Sequence, residues 1–243
     1  MQFAICNASC LCPLVRFRTL VEDALSYLWY ETFFWVSGAA MTLGFSLRTE
    51  GMRHIPRNGP ALLIANHQSF LDPDLVGLAA RRHLCYLARK TLFHNRIFAW
   101  MIRSLKAVPV DQQGIGIEGM RIILEQLRMG RAVLIFPEGQ RTYDGSINPP
   151  RPGVALLIKK SQAPVVPVGI AGAYQAWPRH RLFPIPAPLF LPAQRGRIAV
   201  SIGRPLDGRR LAELPREQLL DELFQELKKV HDKAQRLRGS ESP

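Results

Sequence analysis

The residues of this chain with the plainest capacity for chemistry are His67 and Asp72, five positions apart. An imidazole can take a proton from a hydroxyl near neutral pH. A carboxylate bonded to its other ring nitrogen fixes the tautomer and orientation this requires. The pair lies in the stretch ALLIANHQSFLDPD, from Ala61 to Asp74. Ala61 to Ala65 reads as a buried strand, Asn66-His67 ends it, a polar loop follows, and Asp72-Pro73 opens a helix. Asp is a good N-cap and Pro suits the first helical position, so a bare helix cap is the competing explanation for Asp72.

A second constellation runs RAVLIFPEGQRT, from Arg131 to Thr142. The apolar run Val133–Phe136 leads into Pro137-Glu138-Gly139, with Arg141 beyond. Glycine removes the side-chain barrier to close approach of a ligand, and arginine is the natural fork for a phosphate. Open α/β sheets place ligands at the carboxyl ends of their strands. Both constellations leave strand ends, so the two can converge. Taken alone, Pro-Glu-Gly is a plain turn.

The elements that must hold these residues follow from periodicity. Short apolar strands are expected at Ala61–Ala65, Leu84–Ala88, Ala107–Val110, Val133–Phe136, Val165–Ile170 and Ile198–Ile202. Helical spacing fits Pro73–Arg81, Ile97–Leu105, Ile117–Met129 and Val154–Lys160. Such alternation predicts an α/β fold: a central, mostly parallel sheet flanked by helices. From Pro215 onward an amphipathic helix carries Leu219, Leu220, Leu223, Phe224, Leu227 and Val230 on one face. Residues Arg236 to Pro243 are expected to fray.

Before the alternation begins, Val21 to Leu47 is apolar and aromatic, with Trp29, Tyr30, Phe33, Phe34 and Trp35 crowded together. Its longest charge-free run, Thr32 to Leu47, falls short of the roughly 18 residues that argue for a spanning helix. Gly38 and Gly44 weaken it further as a regular helix. Aromatic rings of this kind suit a headgroup zone, so one or two membrane-interfacial helices are expected. A core helix packed on the domain and a short tilted span are the alternatives. Between Trp177 and Pro192 five prolines forbid a regular helix, and the loop is both apolar (Phe183, Ile185, Leu189, Phe190, Leu191) and basic (Arg179, His180, Arg181). It suits a lip at a membrane, the wall of an acyl-chain groove or a cover packed over the sheet.

Thirty-two Lys and Arg against 19 Asp and Glu leave a net charge of +13. Nucleic acid and an anionic lipid surface are the natural partners of such a chain. The basic residues are scattered, and no zinc finger, RNP motif or other nucleic-acid signature appears, which argues against nucleic acid. Cys6, Cys10 and Cys12 have a spacing that fits no familiar zinc site, and Cys85 stands alone, so no disulfide framework and no metal are expected. The first dozen residues lack the basic start and small-residue cleavage site of a secretory signal.

Asn66–Asp72 reads Asn-His-x4-Asp, and Phe136-Pro137-Glu138-Gly139-Gln140-Arg141 follows some seventy residues on. Together they resemble the glycerolipid acyltransferase family, which acylates lysophosphatidic acid and related acceptors. Lys90-Thr91-Leu92-Phe93 with Val108-Pro109-Val110-Asp111 resembles that family's second block, and Val165-Val166-Pro167-Val168-Gly169 its fourth. The resemblance covers about Gly51 to Pro205. It implies that His67 is the general base and Asp72 its partner, with no acyl-enzyme and no cofactor. Ser69 is then a loop residue rather than a nucleophile.

By the same resemblance Glu138 and Gly139 position the glycerol portion, Arg141 holds the phosphate, Lys90 adds positive charge, and Pro167 shapes the site wall. The implied partners are a membrane bilayer, a lysophospholipid acceptor, and acyl-CoA or acyl carrier protein as donor. The implied site of action is the cytoplasmic face of a membrane, with the protein monotopic or peripheral. The implied organisation is a mobile segment over 1–19, a membrane-associating helical segment over 20–50, and an acyltransferase domain over 51–243. Two positions depart from the pattern. Gln140 stands where a small residue is usual, and Gln112 where an arginine is common, which opens the acceptor to an amino-lipid or another lysolipid. Arg89, Arg96, Arg103 and Arg121 are candidate substitutes. A catalytically inert lipid-binding protein is the remaining alternative.

Overall fold

The computed structural model describes residues 13–89, 94, 107–110, 116–181, 183–188, 190 and 197–239. A helix, α1 (Pro13–Phe45), leads into strand β1 (Arg48–Glu50), a 3-10 turn (Met52–His54) and strand β2 (Ala61–Ala65). Helix α2 (Asp72–Ala80), β3 (Leu84–Arg89), β4 (Ala107–Val110), α3 (Ile117–Arg128), β5 (Ala132–Ile135) and α4 (Gly153–Ser161) follow. Then come β6 (Val165–Ala171), the single turn α5 (Ala173–Ala176), β7 (Ala199–Ile202), α6 (Gly208–Glu213) and α7 (Arg216–Arg238).

The strands form one seven-stranded sheet in the order β1-β7-β6-β2-β5-β3-β4. From β6 to β4 every pairing is parallel; β7 runs antiparallel to β6 and carries β1 parallel to itself. Strands that cross over through helices bury both faces and lose polar residues on both, which is why Ala61–Ala65 is apolar throughout and wholly buried. Its side chains divide between two layers. Ala61, Leu63 and Ala65 pack with Leu75, Val76 and Ala79 of α2. Leu62 and Ile64 pack with Ile123 of α3, Leu157 of α4, and Leu219, Leu223 and Leu227 of α7. A strand read one residue out of register would exchange these layers.

Gly169 lets α7 cross β6 at backbone distance: a Cβ there would stand 2.3 Å from the carbonyl carbon of Val230. The carboxyl end of α7 is fastened rather than frayed. Arg238 is buried and donates to Gln175 Oε1, Arg48 donates to the carbonyl of Leu237, and Gly239 ends the helix in a left-handed conformation. A regular helix also continues through Gly38 and Gly44. Gly38 lies against Leu78 of α2, Ser37 Oγ donates to Asp74 Oδ2 at 2.5 Å, and Phe45 enters the core, so packing outweighs the low helix propensity of glycine. Helix α1 is therefore one continuous element that begins within the stretch expected to be mobile. Its outer face exposes Trp35, Val36 and Leu43. Among the described residues no helix is long and apolar enough to cross a membrane. The helix expected at Ile97–Leu105 lies outside the described residues.

Candidate active site

Parallel pairing sets Ile64 of β2 beside Ile135 of β5. Three residues beyond each lie His67 and Glu138, so the register alone carries the two motifs to one place. They are bonded there: the backbone N–H of His67 donates to Glu138 Oε1 at 3.0 Å. Asn66 secures the other side of β2. Its amide donates to the carbonyl of Ile170 at 2.9 Å and accepts from the N–H of Ile170 at 2.7 Å, extending the β2–β6 ladder by a side chain.

His67 is constrained on every side but one. Nδ1 lies 2.7 Å from Asp72 Oδ2, the ring stacks on Phe136 with centroids 3.9 Å apart and planes 15° apart, and the carbonyl accepts from Thr142 N–H at 2.8 Å. A carboxylate has only acceptors, so in the neutral imidazole the hydrogen sits on Nδ1 and Nε2 keeps its lone pair. The side chain is 19% exposed, so solvent reaches part of the imidazole.

Asp72 is not the N-cap of α2. Leu71 holds that position, Asp72 is the first helical residue, and its carboxylate turns back into the preceding loop. Oδ2 accepts the N–H of Gln68 at 2.5 Å, the N–H of Ser69 at 2.8 Å and Nδ1 of His67, while Oδ1 has no hydrogen-bond partner among the described residues. One oxygen thus shapes the loop and orients the imidazole. Ser69 Oγ donates to the carbonyl of Trp177 at 2.9 Å and accepts the N–H of Leu71 at 3.3 Å.

Glu138 is buried, and both its oxygens are held by protein donors, Oε1 by His67 N–H and Oε2 by Asn148 Nδ2 at 3.0 Å. Burial raises its pKa, opposed by the hydrogen bonds from Asn148 and His67. Gly139 has φ 74°, which favours glycine, and a Cβ there would lie 2.7 Å from Arg151 Nε, which donates to the Glu138 carbonyl. The close approach that Gly139 permits is by Arg151. Arg141 places its guanidinium 3.5 Å from the ring centroid of Phe70, and Phe70 leans on Trp177 with ring centroids 5.7 Å apart. Pro167 sits inside β6 beside Ile64 of β2, and a Cβ on Gly203 would lie 2.7 Å from its Cγ. Lys90 and Gln112 lie outside the described residues, as do Arg96 and Arg103, and Arg121 is exposed on α3.

Sequence reasoning missed Phe136 as a stacking partner, Asn148 and Arg151 as holders of Glu138, and Asn66 as a clamp. Phe136 and Asn66 adjoin motif residues, a signal that was available. Asn148 and Arg151 come from a loop whose path no periodicity describes. Among the described residues no group of three His, Cys, Asp or Glu side chains is placed to hold a metal ion.

The structure is thus an open, mostly parallel α/β sheet that carries at its strand ends an imidazole bonded to a buried carboxylate, with Arg141 next to Thr142, whose N–H bonds the His67 carbonyl. The chain belongs to the acyltransferase family, whose model matches residues 46–171, just over half its length. It is 24% identical over 202 residues to the 1-acyl-sn-glycerol-3-phosphate acyltransferase of Bacillus subtilis, covering 81% of this chain and 94% of that one. It is 28% identical over 148 residues to the protein of the same name from Streptococcus pneumoniae, covering 60% of this chain and only 50% of that one. In three dimensions it resembles the 1-acyl-sn-glycerophosphate (LPA) acyltransferase PlsC from Thermotoga maritima. The TM-score is 0.72 at 24% identity, over 95% of this chain and 89% of that one, and this likeness speaks to the fold alone.

Proposed function

We propose that the protein transfers a fatty acyl group from an acyl thioester to the free hydroxyl of a 1-acylated glycerol 3-phosphate, giving phosphatidic acid. The observation that carries this is the Nδ1 to Asp72 contact at 2.7 Å, which leaves Nε2 as the base at the open side of the site. Nε2 draws the proton from the acceptor hydroxyl as its oxygen attacks the thioester carbonyl. The new C–O bond forms, the C–S bond breaks, and the proton passes from the imidazolium to the departing thiolate. Atoms and charges balance without an enzyme-bound acyl group, which accords with Ser69 being committed to Trp177.

Arg141 is the phosphate ligand, its guanidinium lying over the Phe70 ring, and an arginine suits a phosphate by its planar fork of donors. Glu138 and Gly139 act through the protein, Glu138 by holding the His67 backbone and Gly139 by admitting Arg151. The donor is acyl-CoA or acyl carrier protein. The acceptor assignment draws support from the names of the relatives together with Arg141. Because acceptor and product are both lipids, the protein acts at a bilayer, monotopic or peripheral on the cytoplasmic face, with the exposed Trp35, Val36 and Leu43 of α1 against the lipid.

Acceptor competition with purified enzyme tests the reading. Thioester release stimulated by 1-acylglycerol 3-phosphate should resist a neutral 1-acylglycerol added in excess. Equal use of both would move the assignment to another lysolipid.

A further inference from the structure

We propose that the proline-rich loop following α5 is a second bilayer contact, seating on anionic phospholipid beside α1 and opening directly onto the His67 site. This rests on the bilayer-acting reading above. Phe183 is 75% exposed and Phe190 80%, with Ile185 partly exposed between them. Neighbouring apolar side chains left open in this way mark an interaction surface.

The loop is braced. Ile185 N–H donates to the carbonyl of Ala176 at 2.7 Å, Ala187 N–H to the carbonyl of Gly44 at 2.7 Å, and Ser46 Oγ to the carbonyl of Ala187 at 2.8 Å. Pro186 between these ties, and Pro184 and Pro188 on either side of them, remove backbone freedom. The chain therefore presents its aromatic side chains at little further entropic cost. The tie to Gly44 sets the loop against the carboxyl end of α1, next to the exposed Leu43. Its root is equally fixed: Ser69 Oγ holds the Trp177 carbonyl, and Trp177 packs on Phe70 beneath Arg141. A lipid leaving a bilayer that touches this loop arrives at the catalytic residues.

Charge selects the occupant. Arg179, His180 and Arg181 are exposed at the root of the loop just before Phe183, with Arg179 lying 4.1 Å from the ring centroid of Tyr143, and along the sequence no acidic residue stands between Asp144 and Asp207. Aromatic tips and cations on a loop that itself carries no acidic residue fit an interface rich in anionic headgroups.

The test is cosedimentation of the full chain with vesicles of phosphatidylcholine alone and with added phosphatidylglycerol. The Phe183→Ser, Phe190→Ser double variant should bind both at least about tenfold more weakly. Arg179→Gln with Arg181→Gln should lose the preference for phosphatidylglycerol at low salt while keeping the wild-type melting temperature. Vesicle affinity unchanged in the phenylalanine variant overturns the proposal. So does self-association of the wild type that the phenylalanine variant abolishes without any change in vesicle binding. Turnover of short-chain, water-soluble substrates should be unaltered in both variants. If the wild type binds vesicles as expected but consumes no thioester, the catalytic reading falls and the loop proposal stands.

Discussion

Glu138 accepts the backbone N–H of His67 at 3.0 Å across the β2–β5 junction, and with the Thr142 N–H donated to the His67 carbonyl it ties the two motifs together. It makes Glu138 a positioning residue. Glu138→Gln keeps an acceptor for His67 but turns an amide toward Asn148, and Asn148→Ala removes the donor that orients Oε2. Both variants should lower kcat by about 10–100-fold, the scale of a small misplacement of a catalytic group, with the acceptor KM unchanged. A raised KM at constant kcat would instead assign the carboxylate to glycerol binding.

The same residue predicts a pH dependence of stability. Burial raises the Glu138 pKa above its ordinary 4.5, so between that value and the raised one the folded chain holds more protons than the unfolded chain. Stability contributed by this group is therefore present below 4.5 and lost as pH rises through the folded pKa. Glutamine does not titrate. The melting temperature of Glu138→Gln minus that of the wild type should grow as pH climbs from 4.5 and then level off. A constant difference in melts across that range contradicts the assignment.

Asp72→Asn separates steering from capping. One carboxylate oxygen takes two backbone N–H groups and the imidazole, and the other has no hydrogen-bond partner among the described residues. Asparagine must aim its NH₂ at donors, or into that partnerless position, and it permits the wrong histidine tautomer. Turnover should fall by about 10³–10⁴-fold, as when the carboxylate of a catalytic triad is neutralised. A helix cap would tolerate asparagine at almost no cost, so near-normal kinetics would remove Asp72 from the mechanism.

Arg141→Lys keeps the charge but loses the planar guanidinium over the Phe70 ring. It should raise the KM for a phosphate-bearing acceptor by about tenfold or more, leaving the donor KM alone. Phe70→Leu should shift the same parameter in the same direction by less. Steady-state kinetics with each substrate varied in turn decides it.

Much of this was readable in the sequence. Continuous apolar runs at Ala61–Ala65 and Ala132–Ile135 mark strands buried on both faces, and most element bounds agree within a residue or two, since periodicity reports burial directly. Arg48–Glu50 was invisible: three polar residues at a sheet edge carry no pattern, and only pairing with β7 makes them a strand. The reversal of β7 was hidden too, because buried strands look alike in either direction. His67 and Asp72 could be paired from their spacing. The inward turn of Glu138 could not be read, because it depends on an N–H exposed by the end of a neighbouring strand and on Asn148, ten residues downstream. Helix α1 continues through two glycines because α2 supports it, a tertiary fact that propensity does not contain.

The most direct measurement is thioester release by purified protein supplied with acyl-CoA and 1-acylglycerol 3-phosphate, with mass spectrometry of the lipid product, for the wild type and His67→Ala. The wild type should form phosphatidic acid. The variant, folded with an unchanged far-ultraviolet spectrum, should be slower by at least about 10²–10⁴-fold at every pH. Equal turnover in the two proteins, or a product lacking a newly esterified hydroxyl, would contradict the role of the imidazole and the mechanism built on it.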